Sequence, residues 1–489
     1  MSGPSVAVVG GGVTGLVAAR ALAASCEVTI FESAASLGGK LETATLENLP
    51  IDIGPDAFIT RQSAAERLCR ELGLTDDLLA PSSNSVAIFT KGELHQMPKG
   101  IVLGVPTDLH ALRASNVVGT GAIWRATRDL LGVSAVTRTG AIPRAELGED
   151  DPSVEEVFAP RLGHEIVRIL IDPLLGGINA SDVASLSLAA CAPQLLTRLE
   201  GRRSVMRALR AEPATFTPGS SRPPFLGLRQ GMAELANALE SACRDASVEI
   251  CCDSEVLAIG RFPDGRWKLT IAAEDHVVDA VLLACPAFAA AKLLEDEAPE
   301  LSSELGEIPF ASVVTACFSF PDEAVPAKLS ERLREVIPGA PASDSPLVGS
   351  GVLIPRDGRH LVTGATFTSS KWPRSAARGQ IVIRAFAGRH RDERAVGLGD
   401  AELQSALLAD LQNILGITAS PTASLVKRWE KGLPQYVTGH LARLRRIEAL
   451  LANAPSLGLA GASYHGIGIP ACIEDGERAA SRLLASLAP

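Results

Sequence analysis

Glycines near the N-terminus have the spacing of a nucleotide-binding turn. The turn has six consecutive residues, of which the first, third and sixth form a GxGxxG pattern: Gly10, Gly11, Gly12, Val13, Thr14 and Gly15. In such a turn the first glycine permits a tight bend, the second lets the backbone approach a pyrophosphate, and the third packs a helix against a strand. Free N–H groups at the start of that helix favour the anion. The spacing therefore predicts a dinucleotide site.

An acidic residue and a second glycine pair follow this turn. Glu32 ends the next hydrophobic run, where a carboxylate accepts hydrogen bonds from ribose hydroxyls and disfavours a 2′-phosphate. Residues 36–40 read SLGGK, which brings two glycines and the point charge of Lys40 to a diphosphate. A glycine turn, an acid and a glycine pair with a cation, in this order, favour FAD over NAD.

The elements around these residues form a βαβ unit. Residues 5–9 (SVAVV) and 27–32 (EVTIFE) have the β-branched composition of buried parallel strands, and the run between them has helical spacing. Near the other end, residues 457–483 predict a strand, a glycine-rich loop and a helix whose N-terminus faces the flavin. Further predictions are a hairpin over 86–98, strands at 248–259, 266–272, 277–284, 310–320 and 347–366, and helices over 229–244, 372–390 and 400–415.

Composition limits the class of protein. The chain has 489 residues, 46% apolar and 21% charged, which excludes wholesale disorder and suggests two or three packed units. A net charge of −10 argues against nucleic-acid binding. Nine cysteines without a CxxC argue against a secreted disulfide framework, and no metal site is predicted. No apolar run reaches the ~20 residues of a transmembrane helix. We therefore predict a soluble, cytoplasmic protein.

Several segments resemble the protoporphyrinogen oxidase family of FAD enzymes, and more closely its Gram-positive branch of coproporphyrinogen III oxidases. They read VAVVGGGVTGL, SLGGKLET, DIGPDAF, LPQYVTGH and SYHGIGIPACIEDG, with further matches in MPKGIVLGVPT, DPLLGGINASD and SSKWP. The resemblance spans nearly the whole chain. The first turn is shared by many flavoproteins, whereas the GPD, LGVPT, LLGGI and HGIGIP segments are far more specific.

This resemblance implies an architecture of class α/β plus α+β. A Rossmann-like FAD-binding domain is joined by a mixed-sheet substrate domain and a helical insertion that helps to enclose the substrate. The implied ranges are 1–60, 213–295 and 426–489 for the FAD-binding domain, 61–98 and 296–425 for the substrate domain, and 99–212 for the helical domain.

The resemblance also implies site residues. The contacts to a noncovalent FAD would be the six residues of the turn together with Glu32, Ser33, Lys40, Gly54, Pro55, Asp56, Ala57, Val256, Trp429, Ile467, Gly468 and Ile469. The substrate contacts would be Gly177, Ile178, Asn179 and Lys371. This chain reads GGINASD where many relatives read GGIYAGD, so Asn179 and Ser181 replace tyrosine and glycine.

The implied reaction is a six-electron oxidation of a porphyrinogen in haem biosynthesis, with dioxygen as acceptor and hydrogen peroxide as product. Coproporphyrinogen III is the expected substrate, and the product passes to a ferrochelatase by transient contact. No catalytic base is evident; His465, beside the predicted flavin loop, is the best of the histidines. The open alternatives are a protoporphyrinogen IX oxidase, another flavin amine-oxidase-like enzyme, and a non-catalytic FAD-binding protein. Peripheral membrane contact also stays open.

Overall fold

The computed structural model of the chain describes residues 3–133, 151–210, 223–272, 274–337 and 345–487. The main elements are a five-stranded sheet, a seven-stranded sheet and a layer of helices. No helix within these ranges combines the length and the apolar character needed to cross a membrane.

The first sheet is parallel and has five strands, because the predicted βαβ unit is extended on both sides by later segments. Within the strand Ser5–Val9, Val6 and Val8 face one side of the sheet and Ala7 and Val9 face the other, and all four are buried. The strand order is Glu249–Cys251, Glu27–Phe31, Ser5–Val9, Ala280–Leu283 and Leu457–Leu459.

Both faces of this sheet are covered. On one face lie the helices Val13–Leu22, Ala233–Asp245 and Ile469–Leu487. The other face packs on an antiparallel sheet of Val256–Arg261, Trp267–Ile271 and Glu274–Val278, and on the helices Ala287–Leu293, Pro299–Gly306 and His440–Leu451.

Two predicted strands are each divided in the structure. The region 277–284 contains the end of Glu274–Val278 and the whole of Ala280–Leu283, which belong to different sheets. Between them Asp279 accepts hydrogen bonds from the backbone N–H of Ser5 (2.7 Å) and its hydroxyl (2.8 Å), which anchors the chain where it changes sheet. The region 248–259 is divided in the same way.

The second sheet is mixed and has seven strands. Its single parallel pairing within the described residues joins Gly351–Leu353 to Val86–Thr90, and the predicted hairpin is confirmed. The helices Ala327–Val336 and Asp400–Leu415 cover one face. The strand order is Ala423–Pro434, Phe310–Pro321, Gln380–Ala387, Val362–Phe367, Gly351–Leu353, Val86–Thr90 and Glu93–Gln96, so the first of these strands runs across the predicted boundary between 425 and 426.

The prediction of a helix over 372–390 is wrong. A short 3-10 turn occupies Pro373–Ser375, and Gln380–Ala387 is a central strand of the mixed sheet. Ile381 and Ile383 enter the core between sheet and helices, whereas Arg384 faces the opposite side. The alternation of buried faces and the β-branched residues are typical of a strand. Pairing with the neighbouring strands therefore outweighs the helical tendency of the residues before it.

The helical layer lies between residues 109 and 209, and it is built around one apolar core that also takes in Tyr436. A π-helix, Val167–Gly176, lies at its centre and leads into the short helix Gly177–Asn179. The other helices are Leu109–Ala114, Thr120–Leu130, Val154–Leu162, His164–Ile166, Leu188–Cys191, Pro193–Leu199 and Val205–Leu209.

Smaller elements connect the layers. Paired short strands are Thr43–Leu46 with Leu49–Asp52, Phe58–Ile59 and Leu78–Leu79 with Phe225–Leu228, and Ile101–Val102 with Val105–Pro106. The remaining helical segments are Ala64–Glu71, Thr75–Asp77, Asp322–Ala324 and Thr368–Lys371. The α/β sheet, the mixed sheet and the helical layer together confirm the predicted fold class.

Replacing Trp372 with alanine is expected to destabilise the protein strongly. The Trp372 side chain is 0% exposed, its indole N–H donates to Asp56 Oδ2 (2.9 Å), and the Arg374 guanidinium lies 4.3 Å from its ring. Loss of a buried tryptophan costs about 3–5 kcal/mol. The matched control is Trp124→Ala, at a side chain 60% exposed, which should change the free energy of unfolding by less than about 0.5 kcal/mol. Urea titration measures both; equal shifts would contradict this packing.

Candidate active site

The glycine turn has the backbone geometry that its sequence predicts. Gly10 has a φ of +108°, which side-chain-bearing residues rarely adopt, and its N–H donates to the Phe31 carbonyl (2.8 Å). A Cβ at Gly15 would lie 1.9 Å from the Gly10 carbonyl oxygen, so helix and strand approach as closely as backbone allows. A Cβ at Gly12 would meet nothing within 4 Å. Gly12 therefore presents bare backbone to open space at the start of the helix Val13–Leu22, whose N–H groups have no side-chain cap.

Glu32 is held at the edge of this turn. Its carboxylate accepts hydrogen bonds from the backbone N–H groups of Gly11 (2.7 Å) and Ala34 (2.8 Å). The second glycine pair lies against the first turn, since the Gly38 N–H donates to the Gly11 carbonyl (2.9 Å). Lys40 follows on the same wall, and desolvation by the surrounding protein lowers the pKa of its ammonium group. A diphosphate beside Lys40 would stabilise the charged form.

A cavity of about 630 Å³ begins at these residues and reaches the mixed sheet. Glu32, Ser33 and Val256 line one part, and Gly12, Thr14 and Lys40 line another. The walls supplied by the mixed sheet and by the helical layer are mainly apolar, and they include Val313, Phe310, Phe386, Leu433 and Ile178. The cavity therefore joins a polar, anion-compatible stretch to an apolar chamber.

Trp429 connects the mixed sheet to the turn after the strand Leu49–Asp52. Its indole N–H donates to the Ile53 carbonyl (3.2 Å), and its ring lines the cavity beside Gly54 and Pro55. The tryptophan thus fixes this turn against the chamber.

Asp56 and Lys371 form an ion pair and do not reach the cavity wall. Lys371 Nζ and the Trp372 indole N–H donate to Asp56 Oδ2 at 2.7 and 2.9 Å. Burial alone would raise the pKa of Asp56, but the charges of Lys371 and Arg384 hold it well below its usual range. The Asp56 carboxylate is therefore engaged with Lys371 and Trp372, outside the cavity lining. Lys371 likewise does not line the cavity.

The loop between the strand Leu457–Leu459 and the last helix is stabilised by buried polar groups. Tyr436 donates its hydroxyl proton to the Ala462 carbonyl and accepts from the Gly466 N–H, both at 2.7 Å. Its ring stacks on His440, and burial lowers the pKa of His440 to about 4. His465 Nδ1 lies 2.8 Å from Asp475 Oδ1. His465 therefore helps to position the loop, and among the described residues no histidine lines the cavity.

Ion pairs from the mixed-sheet side hold the loop 176–182 of the helical layer. Asp172, buried in the π-helix, binds Arg389 (3.0 Å) and Arg356 (3.3 Å). Arg356 also bonds Asp182 (3.3 Å) and the Ser181 carbonyl (2.9 Å). These ion pairs hold the 176–182 loop against the second sheet.

Most of the predicted site residues lie together on the cavity wall. The predicted residues that line it are Gly10, Gly12, Val13, Thr14, Glu32, Ser33, Lys40, Gly54, Pro55, Ile178, Val256, Trp429, Ile467 and Ile469. The others lie behind the wall or away from it: Gly11, Gly15, Asp56, Ala57, Gly177, Asn179, Lys371 and Gly468. Asn179 is buried, and its side-chain amide donates to the carbonyl of Leu175 in the π-helix (2.8 Å). Its side chain is therefore engaged within the helical layer.

Comparisons with known proteins identify the family. A family model described as flavin-containing amine oxidoreductase matches residues 13–484. The chain belongs to this family. A coproporphyrinogen III oxidase of Bacillus subtilis is 29% identical over 496 residues, which cover 99% of the chain and 98% of the relative. A coproporphyrinogen III oxidase of Propionibacterium freudenreichii is 30% identical over 514 residues, which cover 98% of the chain and 90% of the relative.

A crystal structure from Exiguobacterium sp. 255-15, provisionally named protoporphyrinogen oxidase, is similar with a TM-score of 0.83. It is 31% identical to the chain, and the match covers 98% of both. The resemblance found in the sequence is thereby confirmed, and the chain is a flavin-dependent oxidoreductase.

The cavity of this flavin-containing amine oxidoreductase fits a flavin dinucleotide. The bare backbone at Gly12 and the uncapped helix start suit a diphosphate, and Glu32 retains lone pairs for ribose hydroxyls. The apolar chamber beside Trp429 suits a planar ring system. A polar stretch followed by an apolar chamber is the arrangement that a dinucleotide carrying a ring needs.

The sequence did not reveal several residues of the chamber wall. Val313 and Thr315 alternate on the strand Phe310–Pro321, and Phe386 lies on its neighbour, Gln380–Ala387. The sequence predicts that Val313 and Thr315 share one face of their strand. Whether that face lines the cavity depends on how the two sheets pack.

Replacing Gly12 with valine is expected to abolish flavin binding, because the added side chain would occupy the space that the diphosphate needs. The matched control is Gly121→Val, where a Cβ also meets nothing within 4 Å but the residue lies on an exposed helix face. Flavin absorbance per protein, measured after purification, compares the two variants. A fully yellow and active Gly12→Val protein would show that the cofactor is placed wrongly.

Proposed function

We propose that the chain binds FAD noncovalently and oxidises a porphyrinogen, with coproporphyrinogen III preferred over protoporphyrinogen IX and dioxygen as electron acceptor. The observation that carries the proposal is the cavity that runs from Glu32 past Gly12 to the apolar chamber. The names of the two coproporphyrinogen III oxidases, which match the chain over nearly its whole length, support the substrate class.

Each end of the cavity has residues suited to one part of FAD. Glu32 would accept hydrogen bonds from the ribose, while Val256 gives an apolar contact for the adenine. The N–H groups after Gly12 and the ammonium group of Lys40 would bind the diphosphate. Trp429 would support the ring end. An acidic residue at the ribose position favours FAD over a 2′-phosphorylated cofactor.

The apolar chamber would take the tetrapyrrole body of the substrate. Ile178, 60% exposed and projecting from the helical layer, and Phe386, from the mixed sheet, would orient that body by shape and keep water from the reacting carbon. When bound, FAD supplies two-electron acceptance and returns the electrons to dioxygen as hydrogen peroxide, and three such rounds turn a porphyrinogen into a porphyrin. No side chain is assigned as a base.

The chamber supports a porphyrinogen more than an amine. An amine oxidase site would need an aromatic cage beside the flavin, yet Tyr436 and Tyr464, the two tyrosines of the chain, are both buried and neither lines the cavity. Lys40 and Lys292 are the cations among the described lining residues. The substrate carboxylates would therefore point toward solvent at the mouth of the cavity.

Protoporphyrinogen IX is the second candidate substrate, because the apolar chamber also suits a ring with two vinyl groups. The provisional name of the Exiguobacterium structure agrees with this alternative. The two candidates differ in carboxylate number, four against two, so their kinetics distinguish them.

Acid precipitation is expected to release all the flavin. Burial raises the pKa of the two cavity thiols, to about 11 for Cys472 and to about 12 for Cys285, so neither is a thiolate at neutral pH and neither is primed to attack a flavin ring. Absorbance of supernatant and pellet measures the release, and Cys472→Ser should bind flavin with an unchanged spectrum. Yellow colour retained on the denatured protein would contradict noncovalent binding.

Steady-state kinetics with both porphyrinogens test the substrate. Each carboxylate held by a cation at a partly exposed rim contributes about 0.2–1 kcal/mol, so two more should raise kcat/KM about 2- to 30-fold for coproporphyrinogen III. Porphyrin fluorescence and hydrogen peroxide are measured together, with the Gly12→Val chain as the background and a primary amine as the third substrate. An equal or higher kcat/KM for protoporphyrinogen IX would overturn the preference, and turnover of the amine alone would overturn the substrate class.

A further inference from the structure

A second cavity, of about 430 Å³, lies between the mixed sheet and the helical layer. It is formed by the hairpin turn at Thr90–Gly92, by Glu165 to Ile169 of the helical layer, and by the loop 355–360. None of its lining residues lines the candidate active site. Its volume is within the range of small-molecule pockets, roughly 300–1,000 Å³.

Three cations line this second cavity without an ionic partner. Within the described ranges, no carboxylate lies in ion-pair distance of Lys91, Arg168 or Arg359. Lys91 Nζ donates to the Asn116 carbonyl (3.0 Å), and Arg168 Nη1 donates to the Arg356 carbonyl (3.3 Å). Both side chains therefore keep N–H groups for another acceptor.

The two carboxylates of the lining already have donors of their own. Asp357 accepts from the backbone N–H groups of Arg359 (2.8 Å) and His360 (3.1 Å), and its other oxygen contacts His360 Nδ1 (2.7 Å). Glu165 Oε1 accepts from the Gly119 N–H (2.7 Å). These bonds leave both carboxylates charged, but three cations against two carboxylates still give the lining a net positive charge.

His360 is a second, independent indication of a missing ligand. Its side chain is 8% exposed, its ring meets the edge of Phe89, and its Nε2 is buried without a hydrogen-bond partner. Buried polar atoms nearly always have a partner, so an orphan on a cavity wall needs an explanation. Phe89, Ile169 and Pro355 add apolar surface to the same wall.

We propose that the second cavity binds a small organic anion with two or more negative charges, either a polycarboxylate or a phosphate ester. The planar forks of Arg168 and Arg359 match the oxygen pairs of carboxylate and phosphate groups, and Lys91 adds a point charge. The apolar wall of Phe89 and Ile169 accommodates the carbon skeleton of such an anion.

Isothermal titration of the flavin-loaded protein with citrate and with inorganic phosphate tests this site. Saturable binding with one ligand per chain is expected, and Arg359→Gln, on an exposed loop, should weaken it on the order of tenfold. Arg168→Gln should act in the same direction. The matched control is Arg378→Gln, an exposed cation outside the cavity, which should leave the affinity unchanged. Flavin absorbance and circular dichroism confirm the fold of each variant.

The two probes distinguish the sources of the anion. Tighter binding of citrate identifies a polycarboxylate site, and tighter binding of phosphate identifies a phosphate ester site. The proposal is overturned if neither probe saturates below about 10 mM. It is also overturned if Arg359→Gln and the control bind equally well, because the anion is then held in the active site or by surface charge. Neither result touches the porphyrinogen assignment.

Discussion

The shape of the active-site cavity depends on two buried arginines that tie the mixed sheet to the turn at its edge. The Arg384 guanidinium donates to the carbonyl oxygens of Asp52 (2.8 Å) and Gly54 (3.0 Å), and Arg374 forms an ion pair with the Asp52 carboxylate. Removing one partner of a buried pair leaves an uncompensated charge, which costs about 3–5 kcal/mol. The turn at Gly54 therefore cannot leave the sheet without breaking these bonds, and one wall of the cavity stays fixed.

The same network determines the character of the chamber. Lys371 and Arg384 both pair with Asp56 and neither lines the cavity, so their charges connect the mixed sheet to the turn. The surface left facing the chamber is largely aliphatic and aromatic. Under the proposed function, such a site would select the body of its substrate by shape and leave charged substituents at the solvent edge.

Most of the residues predicted as cofactor contacts line the cavity, whereas of the four predicted substrate contacts Ile178 alone does so. The turn at Gly10 and the acid Glu32 can be recognised in the sequence because a nucleotide-binding turn needs residues that are close together in the chain. Phe386 and Val313 gave no such signal, since their position follows from strand register and sheet packing. The position of Lys371 was hidden for a related reason: a cation in a family segment does not reveal that it pairs with Asp56, more than three hundred residues earlier.

The edge strand Leu457–Leu459 completes the parallel sheet that contains Ser5–Val9, and the helix Ile469–Leu487 packs on one face of that sheet. A Cβ at Gly476 would lie 2.6 Å from the Thr14 carbonyl oxygen, so the last helix touches the first at backbone distance. During synthesis the strand Ser5–Val9 and the helix Val13–Leu22 emerge long before the helix Ile469–Leu487. Part of their apolar face therefore stays uncovered until that later helix is made. The cofactor cavity therefore takes shape only once residues 457–487 have been synthesised, several hundred residues after its first glycine turn.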